Sequence, residues 1–290
     1  MIQKEIYFKK YDGIETEVTL SVCEELENAD RVSIVGIASK AFLSCKSVQR
    51  LVLPATLEVV EDWAFAHMKN LREISFPVKK ISFGRKVFLG CDKLERVSLQ
   101  TDKKVYEGIF YLLASMFCFF PEEELMHLEL MHDTEGQKGW LAMYDAALVQ
   151  YMERSDDYGF EPAFIGWFDI EDVDDQRQKY MFKQQRQKVL LAFQRLRYAQ
   201  KLSENTKQYL CDYLLQKHTY IEEVLFEEDS VIGRDVQYYK IWHQAGGLDW
   251  IQAGELLSKV SEENAEIRAY LLKLQLDEKE QGDLFAGFEL

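Results

Sequence analysis

The sequence has few of the features that mark a membrane protein or a secreted adhesin. Its longest apolar run, IFYLLASMFCFF at 109–120, has 12 residues, well short of the ~20 that a membrane-spanning helix needs. The amino-terminal stretch MIQKEIYFKK lacks the apolar core and the small-residue cleavage site of a signal peptide. We therefore expect a cytoplasmic protein in which residues 109–120 form a buried helix.

The sequence has few cysteines, and their spacing suggests neither a disulfide nor a metal site. The five cysteines are widely spaced and form no C-x-x-C pair and no Cys/His spacing typical of zinc sites. Cys45 and Cys91 occupy one repeat position two turns apart, which places them too far from each other for a disulfide. The pattern fits a reducing compartment.

Local catalytic motifs are absent as well. The sequence contains no H-E-x-x-H, G-x-S-x-G, G-x-G-x-x-G or P-loop motif, and its five histidines follow no ligand spacing. We predict no catalytic residue, no cofactor and no metal ligand from sequence. An enzyme built from distant segments stays open as an alternative: the helical half would be an enzyme or metal-dependent domain whose acidic cluster binds a metal, and the repeats would select the substrate.

Acidic residues outnumber basic ones, and the excess lies in residues 101–290. The net charge is −15, and residues 101–290 hold 20 Lys and Arg against 36 Asp and Glu. Nucleic acid and anionic membranes would repel such a chain. We expect neither as a partner.

What the sequence does contain is a repeat of 23 residues. The pairs Ala41-Phe42, Ala64-Phe65 and Val87-Phe88 mark three successive turns. The same step relates further positions, among them Cys45, Met68 and Cys91; Leu51, Ile74 and Val97; Leu53, Phe76 and Leu99; and Ile37, Val60 and Phe83. A period of 23 lies within the range of leucine-rich solenoids.

The repeated strands explain why this period is stable. In VQRLVLP, LREISFP and LERVSLQ the apolar residues alternate, as in a half-buried strand. Each repeat is too small to bury these residues alone, so the turns must stack to share one core. We expect Phe65 to lie deepest in this core, with Phe42 and Phe88 nearer its ends.

The repeats resemble the BspA-type leucine-rich repeat family. The segments AFLSCKSVQRLVLPATLEVVEDW, AFAHMKNLREISFPVKKISFGRK and VFLGCDKLERVSL carry the resemblance. They depart from the family pattern at Met68, at Val87 and at Gln100, where Cys, Ala and Pro would stand. The resemblance implies binding of a protein partner and supplies no catalytic residue.

Beyond Thr101 the apolar period changes from that of strands to that of helices. The sequence thus predicts an α+β protein of two domains, a short leucine-rich-repeat solenoid of parallel strands followed by an all-α domain. The predicted boundaries are 1–30 for an amino-terminal cap of the solenoid, 31–100 for the solenoid and 101–290 for the helical domain. A disordered leader is the alternative for residues 1–30.

The helical half has three notable stretches. Asp169, Glu171, Asp172, Asp174 and Asp175 form an acidic cluster that fails the EF-hand spacing and is interpreted as charge at the start of a helix. The following helix, predicted over 173–202, has eight Lys and Arg and no acid between 177 and 201, which is typical of a helix facing acidic neighbours. The segment at 239–260 resembles one helix–turn–helix unit of an ankyrin-like array.

Candidate interaction residues come from the strands and from one aromatic stretch. Residues that alternate with the core positions must face outward, which gives two predicted rows, Arg50, Glu73, Arg96 and Val52, Ser75, Ser98. The rows either form ion pairs that solvate the sheet or present a shelf for a protein partner. Phe164, Trp167 and Phe168 are predicted to add aromatic anchors.

Overall fold

The structure is a computed structural model that describes residues 4–20, 23–24, 31–121, 123–160, 170–226 and 232–286. Contacts divide the chain into two compact units, Met1–Tyr151 with Gln200–Leu202 and Met152–Ala199 with Ser203–Leu290. The strands end at Gln100, where the sequence predicts the change to helices. The division between the units lies later, within an α-helix, so the boundary at 100/101 stays a prediction.

The first unit begins with a stack of coils that carries two parallel sheets. The strands are β1 (Lys4–Phe8), β2 (Glu17–Thr19), β3 (Cys23–Glu24), β4 (Arg31–Ile37), β5 (Arg50–Val52), β6 (Val59–Val60), β7 (Glu73–Pro77), β8 (Ser82–Phe83) and β9 (Arg96–Gln100). One sheet has the order β1-β4-β6-β8, with β3 antiparallel to β4, and the other has the order β2-β5-β7-β9. The solenoid predicted from the repeat is confirmed.

The strand register follows the 23-residue step. Leu51 pairs with Ile74 and Ile74 with Val97 in one sheet, and Val60 pairs with Phe83 in the other. Because equivalent residues of successive coils lie side by side, each inward row becomes a continuous apolar ridge. Leu51, Ile74 and Val97 have no exposed surface.

The segment before the first recognised repeat forms a further coil. β1 pairs parallel with β4 and β2 pairs parallel with β5. Phe8 and Tyr11 each stack on Phe42 with ring centroids 5.2 Å apart. The described part of residues 1–30 therefore packs on the amino-terminal end of the core, and its boundary as a separate cap stays a prediction.

The other end of the core is closed by the first helix, α1 (Glu107–Phe119). Phe117 of this helix contacts three rings of the last coils, Phe76, Phe83 and Phe88, at centroid distances of 5.9, 5.3 and 4.8 Å. Phe117 is 3% exposed. The apolar run at 109–120 is thus the buried helix that the sequence predicts, because it seals the solenoid.

The segment PEEELMHLEL begins with Pro and three acids, which predicts the start of an α-helix, but its described residues do not form one. It forms two short 3-10 turns, Glu123–Leu125 and Leu128–His132. The indole N–H of Trp140 donates to the carbonyl of Leu125 at 2.9 Å, which holds the first turn from outside. Trp140 belongs to α2 (Thr134–Glu153).

The second unit contains the remaining helices, α3 (Ile170–Arg197), α4 (Glu204–Gln216), α5 (His218–Phe226), α6 (Val236–Gln244), α7 (Trp250–Lys259) and α8 (Ala265–Ala286). In α3 an apolar spacing of 7, 4 and 3 residues predicts a buried stripe of Phe182, Val189, Phe193 and Leu196. Val189 and Phe193 have no exposed surface, whereas Phe182 is 40% exposed. The prediction for Phe182 was wrong because its ring lies at the surface, beside Tyr220 at 5.6 Å. No helix in the described ranges is long and apolar enough to cross a membrane.

Candidate interaction face

Strand alternation decides which side chains of the second sheet point outward. In β5, β7 and β9 the residues Leu51, Ile74 and Val97 point into the core with no exposure. Their neighbours in sequence therefore lie on the outer surface. We call this surface the shelf, and its residues are those predicted, Arg50, Val52, Glu73, Ser75, Arg96 and Ser98.

The first row of the shelf is an ion-pair ladder. Glu73 pairs with Arg50 at 3.6 Å on one side and with Arg96 at 3.7 Å on the other. The side chains of Arg50 and Arg96 are 53% and 40% exposed, whereas that of Glu73 is 22% exposed. Such pairs contribute ~0 to 1 kcal/mol each. The alternation of charge predicted from the sequence therefore becomes a carboxylate between two guanidinium groups.

The second row consists of small side chains. Val52 pairs with Ser75 and Ser75 with Ser98 across the sheet. The Ser98 hydroxyl donates to Glu73, which ties the two rows together. With no bulky side chain in this row, the backbone of the sheet is approachable from outside.

β2 widens the shelf beyond the predicted rows. Glu17 pairs with Arg50 and Thr19 with Val52, so each row has a fourth member. This strand does not share the repeat spacing, and only its short alternation EVTLSV signals it. Four strands span ~14 Å between the outermost backbones.

At the opposite side the shelf meets α1. The Arg96 guanidinium lies over the ring of Phe110 at 4.7 Å. This contact was not predicted, because Phe110 belongs to an apolar run whose helical face cannot be assigned from sequence. It holds Arg96 at the margin of the shelf and leaves Arg50 the more exposed of the two.

The predicted aromatic anchors Phe164, Trp167 and Phe168 lie outside the described residues. Just before them, the Phe160 ring lies 5.5 Å from that of Tyr180, and the Arg177 guanidinium is 5.7 Å from the Phe160 ring. These contacts are within the second unit. Phe160, the last described residue before position 161, therefore packs against α3.

The acidic cluster is only partly described. Asp169 lies outside the described residues, and Asp175 pairs with Lys179 of the next turn at 2.6 Å. Among the described residues, no group of three or more His, Cys, Asp or Glu side chains is placed to hold a metal ion.

The basic face of α3 meets acidic and aromatic groups. Lys188, with a side chain 3% exposed, pairs with Asp156 at 2.7 Å and donates to the carbonyl of Arg154 at 2.6 Å. Arg197 pairs with Asp235 at 3.3 Å. The interpretation of a helix neutralised by its neighbours therefore fits these two positions.

Two cysteines of the described chain, Cys91 and Cys118, are poor nucleophiles. Burial raises the pKa of the Cys91 thiol to about 12, and burial also raises the pKa of Cys118 well above its ordinary value. A thiol is reactive as the thiolate. Both groups therefore stay protonated, and Cys118 donates weakly to the carbonyl of Cys91 at 3.4 Å.

Coils of 23 residues, parallel sheets and a shared apolar core together define a leucine-rich-repeat solenoid. In agreement, residues 23–125 match the family model for the BspA type leucine rich repeat region in six copies. The match starts earlier than the three units visible in the sequence and runs through α1. No curated protein and no solved structure matches the chain.

The match covers the amino-terminal part only. Repeats of this kind suggest a protein-interaction module in general terms, and they identify no partner. A helical region follows, as the sequence predicts, but the ankyrin resemblance of α6 and α7 is not confirmed by these comparisons.

Proposed function

We propose that this protein is a non-catalytic interaction module and that the shelf is its protein-binding face. The observation that carries the proposal is the pair of exposed guanidinium groups, those of Arg50 and Arg96, held on either side of Glu73. Each guanidinium has five N–H donors. The ladder uses few of them, so donors remain for the hydrogen-bond acceptors of a partner.

Pre-organisation supports the same proposal. Arg96 is held by Glu73 and by the Phe110 ring, Arg50 lies beside the same carboxylate, and the sheet beneath is held by the packed core. A partner therefore loses less side-chain entropy on binding than it would against free arginines. The low row of Val52, Ser75 and Ser98 lets an opposing surface approach closely.

The shelf alone is small for a stable complex. A standard interface buries ~800 Å² on each partner, more than four short strands offer. We propose the aromatic stretch with Phe164, Trp167 and Phe168 as a separate contact for the partner. Aromatic residues are frequent anchors of such interfaces.

We propose a cytoplasmic location for the protein. Cys45, Cys91, Cys118 and Cys211 are all free thiols, which supports a reducing compartment. Fractionation of the host cells followed by detection with an antibody tests this.

Charge reversal on the shelf tests the binding face. The variant Arg50→Glu with Arg96→Glu is compared with wild type by affinity capture from the native host, followed by biolayer interferometry with each identified partner. A matched control is Lys80→Glu with Lys103→Glu, since both lysines are exposed and lie off the shelf. The control changes the net charge by the same amount.

We expect the control to bind the partner as wild type does and the shelf variant to lose it. Equal affinity of wild type and the shelf variant for every captured partner would show that the shelf is not the binding face. Circular dichroism spectra and melting temperatures establish that all three proteins are folded.

A further inference from the structure

The turns that contain the Ala-Phe pairs form a second repeated surface, on the side of the coils where neither sheet lies. Lys40 N donates to Asp62 O at 3.2 Å, and Trp63 N donates to Arg85 O at 3.1 Å. Further bonds of the same pattern follow along each turn. The turns are therefore as regularly stacked as the strands. We call the surface formed by residues 39–46, 62–69 and 85–92 the turn face.

The backbone of the turn face repeats an unusual conformation. Lys40, Trp63 and Lys86 have φ of 61, 61 and 55°, and they are separated by 23 residues. Non-glycine residues rarely adopt this left-handed conformation. Because the three residues share it, their side chains leave the backbone in the same direction and form a row of lysine, tryptophan and lysine.

Three of the four lysines of this face have no carboxylate partner among the described residues. Among the described residues no carboxylate lies within 4.0 Å of the ammonium groups of Lys40, Lys46 or Lys86, whereas Lys69 pairs with Asp92 at 2.6 Å. Unpaired ammonium groups on one surface are free to bind an anionic group.

The acids of the central turn are already engaged by the backbone. Glu61 accepts from the Ser39 N–H at 2.7 Å, and Asp62 accepts from the Arg85 N–H at 2.8 Å. Asp62 also pairs with the Arg85 guanidinium at 2.9 Å. Both acids therefore hold neighbouring coils together, and neither forms an ion pair with Lys40 or Lys86. The positive charge of Lys40 and Lys86 is thus left uncompensated.

Apolar surface lies between and beside these charges. The Lys86 ammonium is 5.4 Å from the centre of the Trp63 ring. Leu43 and Leu89 are 39% and 40% exposed, two coils apart in the adjacent row. An aromatic ring and two leucines beside unpaired lysines suit a ligand that is both acidic and partly apolar.

The charge of the whole chain decides between classes of anionic ligand. Residues 31–100 hold 12 Lys and Arg against 6 Asp and Glu, but the chain carries −15. Long polyanions such as nucleic acid or an anionic bilayer meet the field of the entire protein and are repelled. A short acidic peptide needs only the local surface.

We propose that the turn face binds an acidic, proline-containing peptide segment of a partner protein. Lys40 and Lys86 belong to coils two apart, so their backbones are separated by ~9.6 Å. One turn of a polyproline II helix advances three residues and ~9.3 Å. Carboxylates at positions i and i+3 therefore face the two lysines, and the two residues between them pack on Trp63. This site is independent of the shelf.

A peptide of defined sequence tests the proposal on the full chain. The probe is fluorescein-labelled Glu-Pro-Pro-Glu-Pro-Pro-Glu, and its matched control has Gln at every Glu position. Binding is followed by fluorescence anisotropy at low salt. We expect saturable binding of the Glu peptide, weaker binding of the Gln peptide, and an affinity that falls as salt rises.

Two variants distinguish the turn face from the shelf. Lys40→Glu with Lys86→Glu should weaken binding of the Glu peptide about tenfold or more, because two attractions become repulsions. Arg50→Glu with Arg96→Glu should leave the affinity for the Glu peptide unchanged. This holds whether or not the shelf binds a protein partner. Should the lysine variant fail to fold, Lys40→Gln with Lys86→Gln replaces it and should weaken binding to a smaller extent.

Three results would overturn the proposal. They are equal binding of the Glu and Gln peptides, wild-type affinity in the folded lysine variants, and no saturation at millimolar peptide. Vesicles of phosphatidylserine with phosphatidylcholine and a DNA duplex are added as further probes. Tighter binding of either than of the peptide would assign the turn face to that polyanion and overturn the peptide assignment.

Discussion

The side-chain amide of Gln100 donates a hydrogen bond of 2.7 Å to the carbonyl of Leu53, two coils away. Gln100 occupies the position where the other two repeats have Pro54 and Pro77. The last coil thus departs from the repeat, and the Gln100 side chain supplies a hydrogen-bond donor to a backbone carbonyl of the sheet. The same amide lies 3.4 Å from the carbonyl of Ser75.

Loss of this amide should weaken the solenoid. We expect Gln100→Ala to lower the free energy of unfolding by ~1 to 2 kcal/mol, since a partly buried carbonyl loses its donor. Gln100→Pro restores the repeat pattern but should cost a similar amount for the same reason. Urea denaturation with a common m-value measures both, and a Pro variant more stable than wild type would contradict this account.

Phe42, Phe65 and Phe88 stack as a ladder through the solenoid core, and we expect each to contribute strongly to stability. Phe42, Phe65 and Phe88 are all at most 2% exposed, because Phe8 and Tyr11 cover one end and Phe117 covers the other. Phe42 and Phe88 do lie nearer the ends than Phe65, but because both ends are covered we expect similar losses at all three positions. Each Phe→Ala substitution should cost ~3 to 5 kcal/mol.

Urea denaturation of the three variants measures these losses, and Phe182→Ala is the control because that ring is 40% exposed and lies outside the solenoid. A loss at Phe42 or Phe88 well below that at Phe65 would mean that the end coils open independently. Hydrogen exchange of the strand amides would then locate the opening.

Much of this core could be predicted from the sequence, because a 23-residue step fixes which residues lie side by side. Phe117 could not be assigned to it, since a continuously apolar helix has no face that sequence distinguishes. The shelf rows were predicted because strand alternation is strict. The contact between Arg96 and Phe110 depends on how α1 packs, which no repeat specifies.

The left-handed conformation of the turns could not be predicted from the sequence either. Of the six residues of the turn face with positive φ, only Gly90 is of a type that favours it. Lys40, Trp63, Ser44 and His67 give no such signal. Stacked hydrogen bonds between coils impose the conformation and override local preference.

Asp62 should make stability depend on acid pH. Hydrogen bonds from the backbone and side chain of Arg85 lower the pKa of this carboxyl. A lowered folded-state pKa stabilises the protein above the unfolded value of ~3.9 and ceases to do so as the pH falls through the folded value. The melting temperature of Asp62→Asn should therefore be below that of wild type at pH 5–7 and converge with it as the pH falls below ~3.9.

Differential scanning calorimetry across this range tests the prediction. Asp92→Asn is the control, because Asp92 contacts only the exposed Lys69 among the groups described. A gap between wild type and Asp62→Asn that stays constant down to pH 2 would exclude the linkage.

The buried pair in the second unit should respond differently to single and double substitution. Lys188 is almost fully buried against Asp156. Asp156→Ala leaves a buried ammonium without its carboxylate and should cost ~3 kcal/mol or more, whereas Asp156→Ala with Lys188→Met should recover most of the loss. Thermal unfolding of the two variants compares them, and equal destabilisation would show that the pair acts mainly by packing.

Position 44 and position 90 offer the sharpest test of the turn conformation, because they are equivalent by the 23-residue step. Ser44 has φ of 60° and Gly90 has φ of 72°. A left-handed conformation costs a non-glycine residue ~1 to 2 kcal/mol. Ser44→Gly removes that strain but makes the unfolded chain more flexible, so we expect a net gain of at most ~1 kcal/mol.

The reverse substitution should be clearly harmful. In Gly90→Ala the new methyl group would lie 2.5 Å from Nδ1 of His67, in addition to the backbone strain. We expect a larger loss than the gain at Ser44, and Gly90→Ala with His67→Ala should recover only the part that comes from the clash. Guanidinium denaturation of Ser44→Gly, Gly90→Ala and the double variant separates the steric clash from the backbone strain. Full recovery of stability in the double variant would mean that the left-handed conformation at position 90 causes no strain.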